Sequence, residues 1–174
     1  MANVYFHPDI DYQGIKDIEN KYTSIDKDYL VNEASDYICK ILKKLVKKTD
    51  SILFICGPGH NGLDSLCSAH KLLALKYNIS IFFTHKNIHL KYVKKYNLKN
   101  FIIHSYDVCD SYTYIVDGIF GYGLNRNLEN NLIDLIKSIN QSSSKVISVD
   151  LPSGLNHATG QPMPVSLRCE LLIS

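Results

Sequence analysis

Apolar positions change rhythm repeatedly along this chain. Leu30, Ala34, Tyr37, Ile38, Ile41, Leu42 and Leu45 recur at helical spacing, and Asp26 or Asp28 can cap the start of that helix. Its other face carries Lys40, Lys43, Lys44, Lys47 and Lys48, which reads first as a solvated face and alternatively as a site for an acidic partner. Ser51 to Cys56 is a short continuous apolar run bounded by a turn, the pattern of a strand buried on both faces. Gly57 to Gly62 forms the turn, and Leu66, Ala69, Leu72, Leu73 and Leu75 mark a helix after it. Ile79 to Thr84 reads as a strand, His89 to Tyr96 as a basic helix, and Phe101 to Ile103 and Tyr112 to Val116 as strands. Leu128 to Ile139 repeats the helical spacing, with Leu132, Leu135, Ile136 and Ile139 on one side. Lys145 to Asp150 and Cys169 to Ile173 are the last strands.

Strands alternating with helices predict an α/β fold, a Rossmann-like three-layer sandwich with a mostly parallel central sheet. The polar, mixed stretch over residues 1–25 reads as an N-terminal arm or helix before a single core over 26–174. A length of 174 residues suits one domain, and 45% hydrophobic residues exclude a disordered chain. Nineteen Lys and Arg against 17 Asp and Glu leave +2, too balanced to argue for nucleic acid. No apolar run spans a bilayer, and the N-terminus lacks the basic and apolar regions of a signal peptide, so a cytoplasmic protein is expected. The five cysteines lack C-x-x-C spacing and read as reduced core residues.

The candidate chemistry lies in three loops, each following a strand. In open parallel sheets ligands bind outside the carboxyl ends of the strands, so the loops are expected to share one crevice. The first, Gly57 to Asp64, offers backbone N–H groups at a helix start and three polar side chains, His60, Asn61 and Asp64. It lacks the Walker ending and the G-x-G-x-x-G fingerprint, which weakens any reading as a nicotinamide-dependent dehydrogenase. In the second, Val116 to Arg126, Asp117 ends an apolar strand, an expensive place for a carboxylate without a partner or cation. Its glycines make a flexible loop, and Arg126 offers a fork for phosphate. In the third, Val149 to Asn156, Asp150 ends a strand and Pro152 and Gly154 fix a turn around Ser153. Ser153 lacks the nucleophile-elbow context of a hydrolase. Of the seven histidines only His60 lies in a candidate site, and the others read as surface or packing residues.

Together the loops resemble the NAD(P)H-hydrate epimerase family, the YjeF N-terminal domains. The segments are GPGHNGLDS (Gly57 to Ser65), VDGIFGYGLNR (Val116 to Arg126) and VDLPSGLNHATG (Val149 to Gly160), in the family's order and spacing. Tyr29 to Ala34 resembles the family's L-M-E-x-A-G helix start. The resemblance implies interconversion of the R and S forms of hydrated NADH and NADPH, with a separate dehydratase restoring the cofactor from one epimer. It implies a potassium ion on Asn61, Asp117 and Ser153. It implies substrate binding by His60, Asn61, Gly62, Leu63, Asp64, Gly121, Tyr122, Gly123, Leu124, Asn125, Arg126, Asn127 and Asp150. Dimerisation is a family habit and is expected here.

Asp150 is the candidate general acid/base, and a cation would tune Asp117 beside it. The chain departs from the family at His60, Leu63 and Ser65, where the pattern has Asn, Gly and Gly. Leu63 adds bulk where backbone should approach ligand, and its β-carbon disfavours positive φ. The resemblance also implies that a final strand-and-helix portion is missing after Ser174 and that no dehydratase domain follows. These departures, with the lysine face, support an alternative: a catalytically degenerate Rossmann-like binding or dimerisation scaffold, as in relatives that serve messenger-RNA decapping.

Overall fold

A computed structural model describes residues 27–105, 109–124 and 126–174. The N-terminal arm lies outside the described residues, as does Asn125. The elements run α1 (Lys27–Leu45), β1 (Ser51–Cys56), α2 (His60–Ala74), β2 (Asn78–Phe83), α3 (Leu90–Lys95), β3 (Ile102–Ile103), β4 (Tyr114–Gly118), α4 (Asn130–Gln141), β5 (Lys145–Val149) and β6 (Leu171–Ile173). The six strands form one sheet in the order β3-β2-β1-β4-β5-β6, and every pairing is parallel. The expected α/β sandwich is therefore observed, with boundaries shifted by a few residues. Phe101 closes a short 3₁₀ turn rather than opening β3, and β4 starts two residues later than Tyr112.

Alternation along β1 explains the three layers. Successive side chains of a strand point to opposite faces. Ile52, Phe54 and Cys56 join Ile38 and Leu42 of α1 and Leu66 and Leu72 of α2 in one apolar cluster. Leu53 and Ile55 join Leu132, Leu135, Ile136 and Ile139 of α4 in the other. All five apolar β1 residues from Ile52 to Cys56 are fully buried, each large side chain worth about 1.5–3 kcal/mol. Cys39, Cys56 and Cys67 are buried free thiols and Cys169 is a half-buried one.

Asp28 does not cap α1. It sits in the first turn, where its carboxylate accepts a 2.6 Å hydrogen bond from the Tyr92 hydroxyl of α3. No helix among the described residues is long and apolar enough to cross a membrane.

Candidate active site

The order in which the chain adds strands reverses between β1 and β4, the switch point at which doubly wound sheets open a crevice. The carboxyl ends of β1, β4 and β5 sit side by side there, and the three loops start from them. The first loop is shorter than the sequence implies. Helix α2 begins at His60, so His60 to Asp64 form its first turn instead of a turn over Gly57 to Gly62. Gly59 is the N-cap and offers no side-chain cap, which leaves no sequence signal for an early helix start. Two glycines serve close backbone packing, not ligand approach. A β-carbon at Gly57 would lie 1.8 Å from the Ile119 carbonyl oxygen, and one at Gly62 would lie 1.9 Å from that of Gly57.

Leu63 corrects the concern about its bulk. It is helical, absent from the residues with positive φ, and buried at 9% exposure. The departure is absorbed by the apolar interior.

Asn61 joins the three loops. Its Nδ2 donates to the carbonyl of Phe120 at 2.7 Å and to that of Val149 at 3.1 Å. Asp117 lies in β4, one residue before its end, and is fully buried. Its carboxylate accepts from Ser153 Oγ at 2.6 Å, the Ser153 N–H at 2.9 Å, Ser148 Oγ at 2.9 Å and the Ile119 N–H at 3.2 Å. The Phe120 N–H donates in turn to Ser153 Oγ at 2.9 Å. Burial pushes the Asp117 carboxyl up, and these hydrogen bonds act against that rise. No Lys or Arg forms a salt bridge with it among the described residues. A dry carboxylate with oxygen-rich neighbours and no cationic side chain suits a cation of low charge. No group of three or more His, Cys, Asp or Glu that could hold a metal exists among the described residues.

Asp150 follows β5 directly and has φ +69°. The Leu151 N–H donates back to the Val149 carbonyl at 2.8 Å, closing a three-residue turn centred on Asp150. Its own N–H is held by the Ile173 carbonyl of β6 at 2.7 Å. Its carboxylate accepts from the Tyr122 N–H at 3.0 Å. Gly121 makes this contact possible, since a β-carbon there would lie 2.0 Å from Asp150 Oδ2. A left-handed conformation at a non-glycine residue costs on the order of 1–3 kcal/mol and persists where surroundings over-determine it.

Asp64, in the first turn of α2, lies close enough to Asp150 for the two carboxylates to repel. Burial, and next the nearby Asp150 carboxylate, push its carboxyl up to about 7. The sequence offered Asp64 as a binding group only, because its neighbour is distant in the chain.

The remaining predicted residues divide. His60, Gly123, Arg126 and Asn127 are exposed, and Tyr122 is half-buried. Leu124 is buried at 6% exposure within the α4-side cluster, so its side chain serves packing. Asn125 cannot be placed, since it lies outside the described residues. His89, read from sequence as a surface or packing residue, instead meets the first loop: its Nε2 lies 2.8 Å from the Gly57 carbonyl oxygen. Burial pulls the His89 imidazole below its usual range. No local motif could have revealed this contact across 32 positions.

The sequence profile described as YjeF-related protein N-terminus matches residues 27–174. A protein of Dictyoglomus turgidum named bifunctional NAD(P)H-hydrate repair enzyme is 33% identical over 168 residues, covering 90% of this chain and 32% of that protein. A protein of Weissella koreensis named NAD(P)H-hydrate epimerase is 32% identical over 131 residues, covering 71% of this chain and 58% of that one. The chain thus spans less than two thirds of the length of these relatives. A yeast protein of known crystal structure shares the fold at a TM-score of 0.80 and 18% identity, over 92% of this chain and 76% of that one. On the profile match across the whole described core, with its three loops meeting at one sheet end, the chain belongs to the YjeF N-terminal family.

Proposed function

We propose that the protein is an NAD(P)H-hydrate epimerase, interconverting the R and S forms of hydrated NADH and NADPH. The observation that carries the reading is the joining of three loops through Asn61, which brings Asp64, Asp117 and Asp150 to one crevice. Support comes also from relatives whose names state this activity. Epimerisation at a carbon bearing hydroxyl next to nitrogen requires that oxygen to leave protonated and water to return on the other face. Asp150 is the acid/base group: its carboxylate is held by one backbone donor and faces the crevice with Asp64. His60, Asn61 and Asp64 of the first loop, Gly121 to Gly123, Arg126 and Asn127 of the second, and Asp150 line the substrate.

A potassium ion is part of this proposal. Asp117, Ser153 and Asn61 would hold it, and when bound it would supply positive charge beside the crevice. The Asn61 amide donates to two carbonyls, and exchange of its nitrogen and oxygen would turn an acceptor toward the same place. A dehydratase would act on the product, in line with relatives named bifunctional NAD(P)H-hydrate repair enzymes; a homodimer in the cytoplasm is part of the same proposal. The scaffold reading loses one support, because Leu63 fits the interior without strain.

The test is direct. Hydrated NADH is supplied as both epimers with a dehydratase specific for one. The protein is expected to speed consumption of the other epimer. A rate equal to spontaneous epimerisation refutes the proposal.

A further inference from the structure

We propose that Asp64 is the second reacting carboxyl of the site, donating the proton that lets the substrate hydroxyl leave, while Asp150 takes the proton of the returning water. The inference rests on the epimerase reading and extends it. Its basis is geometric. Asn61 ties the first turn of α2 to the Val149 carbonyl, the residue just before Asp150. Asp64 stands three positions after Asn61, one turn along the same helical face. Its backbone carbonyl accepts from Ser68 Oγ at 2.7 Å, but its carboxyl has no hydrogen bond or ion pair among the described residues.

The two carboxyls therefore have opposite surroundings. Asp150 accepts the Tyr122 backbone N–H on Oδ2. Asp64 is partly buried, lacks a donor and faces a like charge, which favours the neutral acid. Two carboxyls in unlike environments can divide donor and acceptor roles. His60 stands one turn before Asp64 on α2, and the His157 ring lies 5.9 Å from that of Tyr122. Burial pushes the Cys67 thiol, one turn further along α2, up to about 11. Burial and Asp150 also raise the Tyr122 phenol.

The step balances. Asp64 gives its proton to the hydroxyl oxygen on the carbon beside the ring nitrogen. The carbon–oxygen bond breaks, its electron pair leaves on water, and the nitrogen lone pair forms the carbon–nitrogen double bond. Water then adds from the opposite face, the nitrogen recovers its pair, and the released proton passes to Asp150. Exchange with solvent returns the proton to Asp64.

The experiment is a pH–rate profile of wild type, Asp64→Asn and Asp64→Glu in the coupled epimer assay, with a carboxyl NMR titration of Asp64. Wild-type kcat is expected to fall above about pH 7. Asp64→Asn is expected to lose about 100-fold in kcat and to lose that alkaline limb, and Asp64→Glu to recover part of both. Asp64 should titrate near 7 in the wild type and lower in Asp150→Asn. An active wild type whose Asp64→Asn variant keeps the limb overturns the donor role alone. So does titration of Asp64 below about pH 5, near the ordinary Asp value. A wild type with no epimerase activity overturns the function reading together with the donor role.

Discussion

Ser65 stands where the family pattern has glycine, and Gly118 is what admits it. The Ser65 hydroxyl is buried and lacks a hydrogen-bond partner among the described residues. A β-carbon at Gly118 would lie 2.1 Å from Ser65 Oγ, 2.5 Å from Ser65 Cβ and 3.2 Å from the Asn61 carbonyl oxygen. Gly118→Ala therefore forces α2 away from β4, an overpacking cost of about 1–3 kcal/mol. For a chain of this size that is a fall in Tm of roughly 2–12 °C. Ser65→Ala alone removes an unsatisfied buried hydroxyl and is expected to stabilise by about 1 kcal/mol. Ser65→Ala does not rescue Gly118→Ala, because the two β-carbons would still collide at 2.5 Å. Ser65→Gly does rescue it, since both offending atoms are gone, and the coupling in that cycle is about 1–3 kcal/mol. Denaturant midpoints of the single and double variants measure these terms. Equal rescue by alanine and glycine, or rescue by neither, refutes the packing argument.

Other perturbations separate the roles of the site residues. Asn61→Ala leaves the Phe120 and Val149 carbonyls without their donor and should destabilise by about 1–3 kcal/mol in urea unfolding. Gly121→Ala displaces the Asp150 carboxylate and should cut kcat about 100-fold while the unfolding midpoint moves little, read by parallel kinetics and melting. Asp64 holds its proton more tightly when folded, with a value of about 7 against an ordinary 3.8. Its contribution is therefore full below about pH 4 and is lost as pH rises through about 7, so at pH 8 Asp64→Asn should be more stable than wild type by about 1–2 kcal/mol after solvent screening. Replacing potassium with a bulky organic cation at constant ionic strength should lower activity, and Ser153→Ala should weaken the response, measured as the half-saturating potassium concentration.

Much of the fold was legible because β1 is unambiguous: a five-residue apolar run followed by glycines has few other solutions in an α/β chain. The same logic located Asp117 and Asp150, since carboxylates at the ends of apolar strands are costly without partners. What sequence could not supply was adjacency. Four donors meet the Asp117 carboxylate, and three of them, two from Ser153 and one from Ser148, come from more than 30 positions away. The closeness of Asp64 to Asp150 and the contact of His89 with Gly57 are likewise long-range. The early start of α2 was missed for a local reason, because Gly59 caps without a side chain.

The Asn61 contacts carry a consequence for the order of assembly. They span 59 and 88 positions, so they form only after β1, β4 and β5 have come into register. Contacts closing such long loops are slow to reward the chain during folding. The helical signal of α1 and α2, which depends on near neighbours, should recover first after dilution from denaturant, and the crevice should recover with the last phase. The site is thus a reporter of complete refolding, and a refolded sample that looks helical can still lack it.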